Sequence, residues 1–155
     1  MLYLFRHGRA EAQATSDAAR ALTDEGRAQV QDVVARFQAS ELPLQRILCS
    51  PYLRAQQTAE LLADAFAGVQ VETFALLSPE TSPRQLLQAL AELDGTAIAL
   101  VGHNPLLSNL LSLMVAGHTQ PELDLGTANL AVVSGETVAA GCAELQTLLQ
   151  PREPG

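Results

Sequence analysis

Residues 97–105 read AIALVGHNP, and this stretch decides the fold. The five apolar residues 97–101 are long enough for a strand, and their unbroken hydrophobicity is typical of a parallel strand that helices cover on both faces. The run leads directly into His103, and Asn104-Pro105 then combines a residue that often caps helices with a proline suited to the first helical turn. The sequence therefore predicts a buried strand, a histidine at its carboxyl end, and a helix.

Two other stretches of the chain repeat this arrangement. Residues 2–5 are apolar and lead into Arg6-His7-Gly8, and Arg46–Cys49 leads into Ser50-Pro51, which predicts another helix start. The remaining predicted strands are 69–74, 129–133 and 137–149, and further helices are predicted over 23–38 and after Ser82-Pro83. Strands that alternate with helices predict an α/β fold with a mostly parallel central sheet and helices on both faces.

The length and composition indicate one globular domain. We assign residues 1–150 to that domain and 151–155 to a flexible tail, in a chain that is 48% hydrophobic. The net charge of −8 argues against nucleic acid as a partner, and no apolar run is long enough to cross a membrane. Two cysteines cannot form a disulfide framework, so we expect a cytoplasmic protein. We also expect a monomer.

Four candidate functional side chains follow the predicted strands. His7 and His103 stand at strand ends, Arg6 precedes the first histidine, and Arg54 lies in the first turn of the helix that Ser50-Pro51 opens. Carboxyl ends of parallel strands meet at one edge of the sheet, which is where such folds bind ligands. Arginine binds phosphate oxygens in a bidentate manner, and a neutral imidazole is a competent nucleophile for phosphorus.

No metal or other cofactor is expected. The three histidines of the chain have no spacing typical of a metal site, and no carboxylate cluster stands beside them in the sequence. Arginines can neutralise the charge of a transferring phosphoryl group where other enzymes use magnesium. The sequence therefore predicts a metal-independent phosphatase whose activity persists in EDTA.

These motifs resemble the signature blocks of the histidine phosphatase (phosphoglycerate-mutase-like) superfamily. The matching segments are Arg6-His7-Gly8, Ser50-Pro51-x-x-Arg54-Ala55-x-Gln57-Thr58-Ala59-Glu60 and Gly102-His103. The short chain, Arg20-x-Leu22-Thr23-x-x-Gly26 and the Asn104-Pro105 continuation are most similar to the SixA-type phosphohistidine phosphatases. The resemblance implies a minimal phosphoglycerate-mutase-like fold without large insertions.

The resemblance also implies a role for each matching residue. It places the phosphorylated nucleophile at His7 and the other catalytic, phosphate-binding residues at Arg6, Arg54 and His103. Arg20 is implied as a further phosphate contact. Arg9 stands at a variable position, so its role is left open.

The larger members of the superfamily carry an acid that protonates the leaving group, in an insertion that this chain lacks. Glu80 is the candidate for that role here; the alternatives are that it is only an exposed loop residue and that His103 delivers the proton. An imidazole leaving group can be protonated near neutral pH, whereas an alkyl phosphate depends far more on general acid catalysis. We therefore expect a protein phosphohistidine phosphatase that releases inorganic phosphate. The resemblance implies that its substrate is a histidine-containing phosphotransfer domain.

Three alternatives remain. The first is a small-molecule phosphomonoesterase of the same superfamily, which would depend on Glu80. The second is a cysteine phosphatase, although Cys49 and Arg54 are separated by four residues instead of the five that a tyrosine phosphatase loop needs. The third is a module that binds phosphohistidine without turnover, and the presence of His7 argues against it.

Overall fold

In the part of the chain that the structure describes, four α-helices alternate with five strands, and a sixth strand follows. The computed structural model describes residues 1–152. The strands are β1 (Leu2–Arg6), β2 (Arg46–Cys49), β3 (Val71–Thr73), β4 (Ile98–Gly102), β5 (Leu130–Ser134) and β6 (Glu144–Leu149). The helices are α1 (Asp24–Ala39), α2 (Leu53–Asp64), α3 (Pro83–Ala91) and α4 (Leu106–Ala116). The predicted α/β fold is confirmed.

All six strands form one sheet in the order β3-β2-β4-β1-β5-β6. The first four strands of that order are parallel, and β5 and β6 add antiparallel pairs at one edge. The central pair is β1 with β4, in a register that places Arg6 opposite Gly102. The two strands therefore end side by side, and the residues that follow them begin next to each other.

Each face of the sheet is buried by a pair of helices. On β1, Leu2 and Leu4 contribute to the core beneath α3 and α4, whereas Tyr3 and Phe5 contribute to the core beneath α1 and α2. Strand β4 divides in the same way, with Leu100 on the first face and Val101 on the second. This division explains the unbroken apolar runs, because successive side chains of a strand point to opposite faces and both faces are covered.

Two predicted strands are shorter than expected, and in both cases the backbone makes other hydrogen bonds. The segment before β6 bonds to the end of α4, where the amide groups of Gly141 and Ala143 donate to the carbonyl groups of Leu113 and Met114. It therefore cannot pair with β5, and the predicted strand 137–149 is reduced to its second half. The predicted strand 69–74 keeps only the three residues of β3, because a turn precedes it and a short 3-10 helix, Ala75–Leu77, follows it.

Two of the three helix starts that were predicted at a residue-proline pair are displaced. Ser82 caps α3 as predicted, since its side chain accepts a hydrogen bond from the amide of Gln85. The prediction that Ser50 caps α2 is wrong, because that helix begins at Leu53. The Ser50 hydroxyl accepts from the Tyr52 amide ahead of the helix and also contacts His103. Helix α4 begins one residue later than Asn104-Pro105 predicts, at Leu106.

The chain returns to α1 after β6. Arg152 donates two side-chain hydrogen bonds to the carboxylate of Asp32, at 2.7 and 3.1 Å, and its amide donates a third. Of the predicted flexible tail 151–155, the last three residues lie outside the described part of the chain. Within residues 1–152, no helix combines the length and the hydrophobicity that a membrane crossing requires.

Candidate active site

The polar residues that follow three neighbouring strands meet at one edge of the sheet. His7 follows β1, Ser50 follows β2 and His103 follows β4, and these strands are parallel neighbours in the order β2-β4-β1. The imidazole centroids of His7 and His103 are 5.1 Å apart. The structure thus brings together side chains that lie 96 residues apart in the sequence, at the edge where the sequence predicted a site.

His7 is held as one tautomer. Its Nδ1 lies 2.7 Å from the carbonyl oxygen of Gly8, and because a carbonyl can only accept, Nδ1 carries the proton. Its Nε2 therefore carries no proton, and its lone pair accepts a hydrogen bond from Arg54 Nε at 3.3 Å. Burial, followed by the charges of Arg54 and Arg6, lowers the pKa of His7 to about 4, while the Gly8 carbonyl opposes the shift. The imidazole is therefore neutral at pH 7.

Close backbone packing fixes the loop that carries His7. A Cβ atom on Gly8 would lie 2.7 Å from a side-chain carbon of Val30 and 2.8 Å from the carbonyl oxygen of Gly26, so α1 leaves no room for a side chain there. The amide of Gly8 donates to Thr58 Oγ1, and that hydroxyl donates to the carbonyl of Arg54. Thr58 therefore links the backbone beside His7 to the first turn of α2.

Arg54 is the most heavily engaged cation of the site. Its side chain is only 7% exposed, and its Nη1 and Nη2 donate to the backbone oxygen and the carboxylate of Asp17, at 2.8 and 3.3 Å. Its guanidinium carbon lies 5.0 Å from the centroid of the Tyr52 ring. A guanidinium has five N–H groups, so two remain for another acceptor after the bonds to His7 and Asp17.

Arg6 directly precedes His7, and its side chain is half-buried. Its Nη1 donates to the carbonyl of Leu125 at 2.8 Å, and its Nε is buried without a hydrogen-bond partner among the described residues. Burial lowers the pKa of Arg6, and the nearby Asp124 carboxylate partly opposes that shift. Like every protein guanidinium, that of Arg6 stays charged at neutral pH, so it presents a buried donor to the site.

His103 is almost fully buried, with 2% of its surface exposed. Its Nε2 lies 2.7 Å from Ser50 Oγ, and its Nδ1 has no hydrogen-bond partner within the part of the chain that the structure describes. Burial, then the proximity of His7 and of Arg54, lowers the pKa of His103 to about 3. Both histidines of the site are therefore neutral at pH 7, in surroundings that carry the positive charge of arginines.

The remaining predicted residues lie at different distances from this centre. Arg20 reaches the site through Asp17, to whose carboxylate it donates at 2.8 Å. Arg9 forms an exposed ion pair with Glu25 instead of turning toward the histidines. Glu80 is exposed in the loop before α3, and it makes no hydrogen bond or ion pair with the other described residues.

Three residues of the site were not predicted from the sequence. Asp17 joins Arg20 to Arg54, Ser50 contacts His103, and Thr58 fixes the amide of Gly8. Asp17 stands three residues before Arg20, and this spacing is the one signal in the sequence that could have identified Asp17. Ser50 was interpreted only as a helix cap, and Thr58 only as part of a motif.

The site combines a neutral imidazole, whose Nε2 lone pair is unprotonated, with the guanidinium groups of the buried Arg54 and the half-buried Arg6. In residues 1–152, no group of three His, Cys, Asp or Glu side chains is arranged to hold a metal ion. The arrangement can bind a tetrahedral oxyanion against His7 and stabilise added negative charge on it.

Comparison with known proteins gives a consistent family. The model of the histidine phosphatase superfamily (branch 1) matches residues 2–78. The chain is 29% identical to the phosphohistidine phosphatase SixA of Escherichia coli over a 127-residue alignment that covers 77% of each protein. It is 32% identical to a SixA homologue of Haemophilus influenzae over 122 residues, or 72% of this chain and 74% of that one.

A solved structure agrees over nearly the whole length. The protein histidine phosphatase SixA in complex with tungstate superposes with a TM-score of 0.85 at 26% identity, covering 97% of this chain and 96% of the other. The shared fold and the shared sequence therefore point the same way. The chain belongs to the histidine phosphatase superfamily, in which it is similar to the SixA phosphohistidine phosphatases.

Proposed function

We propose that the chain is a protein phosphohistidine phosphatase that works through a covalent phospho-His7 intermediate. The observation that carries this proposal is the state of His7: its Nδ1 proton is bound to the Gly8 carbonyl and its Nε2 lone pair faces Arg54. A nucleophile of this kind needs no base and no metal to activate it at neutral pH. The similarity to SixA proteins supports phosphohistidine as the substrate class.

In the first step, the phosphoryl group replaces Arg54 Nε–H at the Nε2 lone pair of His7, which attacks phosphorus. The bond from phosphorus to the leaving group breaks, and its electron pair goes to the leaving group. The resulting phosphoimidazolium keeps its Nδ1 proton, whose positive charge is stabilised by the Gly8 carbonyl. In the second step, water attacks phosphorus, the electrons of the P–N bond return to Nε2, and phosphate leaves with both protons of the water. His7 is regenerated in the same tautomer.

Donors around His7 are suited to the oxygens of the transferring group. The two free N–H groups of Arg54, the buried Nε of Arg6 and the buried Nδ1 of His103 are groups that an oxyanion can satisfy. His103 can donate through Nδ1 either as the neutral tautomer that carries its proton on Nδ1 or as the protonated imidazolium. A bound phosphate would favour the protonated form. Tungstate, which the similar SixA structure binds, is a tetrahedral oxyanion of the same kind.

Among residues 1–152, neither Glu80 nor Asp17 is placed as an acid for the leaving group, and this favours an imidazole leaving group. Glu80 is exposed without a polar partner, and Asp17 is held as a carboxylate because hydrogen bonding to Arg20 lowers its pKa. An alkoxide leaving group would lose the roughly 10²–10⁴-fold contribution of general acid catalysis. An imidazole leaves readily without an enzymic acid, and a site at the open edge of the sheet can accept a side chain that a protein presents.

The substrate that we propose is the phosphorylated histidine of a histidine-containing phosphotransfer domain, with inorganic phosphate as the product. We also propose a cytoplasmic location. Cys49 and Cys142 are both unpaired in the structure, as expected of a protein in a reducing compartment.

Phosphate release from a phosphohistidine-bearing phosphotransfer domain tests the proposal. The assay contains EDTA and compares the wild type with His7→Ala and with His118→Ala, which removes an exposed histidine outside the site. We expect release by the wild type and by His118→Ala, and none above background by His7→Ala. Equal release by all three proteins would refute the role of His7, and release by none would favour a small-molecule phosphomonoesterase.

A further inference from the structure

Asp17 stands at the mouth of the site, where its carboxylate links two arginines. Its Oδ1 accepts from Arg20 Nη1 at 2.8 Å, and its Oδ2 accepts from Arg54 Nη2 at 3.3 Å. The side chain is nevertheless 57% exposed, and together with Ser16 and Arg20 it lines an open recess at the surface. A carboxylate has about four lone-pair positions, so both oxygens can accept a further hydrogen bond from a ligand.

One guanidinium separates this carboxylate from the nucleophile. Arg54 Nε contacts His7 Nε2, and Nη2 of the same group contacts Asp17. The charge of Asp17 also acts on His103: it raises the pKa of that imidazole, although burial, His7 and Arg54 lower the same pKa by more. Asp17 is thus close to the reacting atoms, and it faces solvent, from which a substrate must enter.

We propose that the Asp17 carboxylate accepts a hydrogen bond from the imidazole of the substrate phosphohistidine and so makes the site selective for that leaving group. The proposal rests on the proposed function, because it concerns how the same site handles its substrate. Asp17 would contact the ring nitrogen that does not carry phosphorus.

The chemistry of the leaving group explains why such a contact matters. When the distal nitrogen of phosphohistidine is protonated, the P–N bond can break with its electron pair going to the proximal nitrogen, and the ring departs as neutral imidazole. No proton has to be delivered during the step, because the proton is already on the ring. A carboxylate that accepts from the distal N–H stabilises this reactive form of the substrate.

The geometry of in-line transfer is compatible with this contact. The leaving nitrogen must lie on the side of phosphorus opposite His7 Nε2, and the distal nitrogen lies one ring width further toward solvent. The Asp17 side chain is 57% exposed whereas His7 is buried, and the two contact the Arg54 guanidinium at different nitrogen atoms. Asp124, the other carboxylate beside an arginine of the site, is instead bonded to Asn104 and Ser108.

Asp17 has an alternative role, which is only to hold Arg54 in place. The two roles differ in their dependence on the leaving group. If Asp17 acts through Arg54 alone, its removal weakens the binding of every phosphoryl group and slows all substrates alike. If Asp17 contacts the leaving imidazole, its removal slows phosphohistidine more than an aryl phosphate, whose nitrophenolate leaves without a proton.

The test compares Asp17→Asn with the wild type on a phosphorylated phosphotransfer domain and on p-nitrophenyl phosphate. Asparagine keeps an oxygen for one arginine but removes the charge. The control for net charge is Asp64→Asn, which removes one negative charge in the same way from an exposed residue at the end of α2. The inhibition constant of inorganic phosphate is measured for each protein.

We expect the loss of kcat/KM for Asp17→Asn to be about 10- to 100-fold greater on phosphohistidine than on p-nitrophenyl phosphate, as for a hydrogen bond to a charged group. We also expect phosphate to bind no more weakly than to the wild type. Equal losses on both substrates with weaker phosphate binding, or no loss on either, would overturn the inference and leave the proposed function standing. A wild type inactive on phosphohistidine would overturn both.

Discussion

Replacing His7 by glutamine should make the protein less sensitive to acid, because the buried neutral imidazole destabilises the fold as the pH falls. The pKa of His7 is about 4 in the folded protein and about 6.5 as the ordinary value for an unfolded chain. Between these two values the unfolded chain binds more protons than the folded one. The contribution of His7 to the free energy of unfolding is therefore fully present above pH 6.5, and it is lost as the pH falls toward 4.

The magnitude follows from the two pKa values. At pH 5 an unfolded imidazole is almost fully protonated, whereas His7 in the fold is still mostly neutral. Lowering the pH from 7 to 5 then costs the wild type about 2 kcal/mol through this one residue. His103, whose pKa is lowered to about 3, adds a loss of about the same size in this interval.

Urea unfolding at pH 7 and pH 5, followed by circular dichroism in buffers without phosphate, measures the effect. Phosphate must be left out because an anion that binds the folded site would stabilise it. Between the two pH values, the free energy of unfolding should fall by about 2 kcal/mol more for the wild type than for His7→Gln. It should also fall more for the wild type than for His103→Gln. The remaining titratable groups are common to the proteins and cancel in the comparison. If the wild type and His7→Gln lose equal stability, His7 is not held neutral by its surroundings.

Three further substitutions test other parts of the account. Glu80→Gln should change phosphohistidine turnover less than about twofold, whereas a small-molecule phosphomonoesterase that uses Glu80 as its acid would lose roughly 10²–10⁴-fold; steady-state rates on both substrate types distinguish these outcomes. Cys49→Ser should retain activity, because burial raises the pKa of the thiol to about 12 and excludes it as a nucleophile at pH 7; loss of turnover in a folded variant would revive the cysteine phosphatase alternative. Gly26→Ala should destabilise the fold by about 3 kcal/mol in urea unfolding, because its Cβ would lie 2.1 Å from the carbonyl oxygen of Arg9; unchanged stability would contradict this close packing.

The sequence predicted the location of the site because polar residues interrupt apolar runs at strand ends. The run 97–101 is buried on both faces, so His103 marks the point where the apolar strand gives way to polar residues. The same pattern located His7, and parallel pairing in register brought the two together. Periodicity and strand order are properties that local sequence carries, and they were sufficient for the fold and for this pair.

The contacts that set the chemistry were less accessible from sequence. Asp17 lies in a short 3-10 helix with no periodic pattern, and only the fold shows that it meets Arg54, 37 residues later. The start of α2 was placed too early because Ser50-Pro51 is a typical helix start by itself. The competing contact of Ser50 with His103 links residues 53 positions apart, so no local pattern reports it.

Direct detection of phosphate on His7 tests the central claim most directly. The enzyme is mixed with a phosphorylated phosphotransfer domain, quenched with base within milliseconds, and digested for mass spectrometry of the peptide that contains His7. We predict a peptide with one added phosphate that is stable in base, is lost in acid, and disappears as turnover ends. Phosphate release at the full rate with no phosphorylated peptide, or with phosphate on another residue, would contradict covalent catalysis by His7.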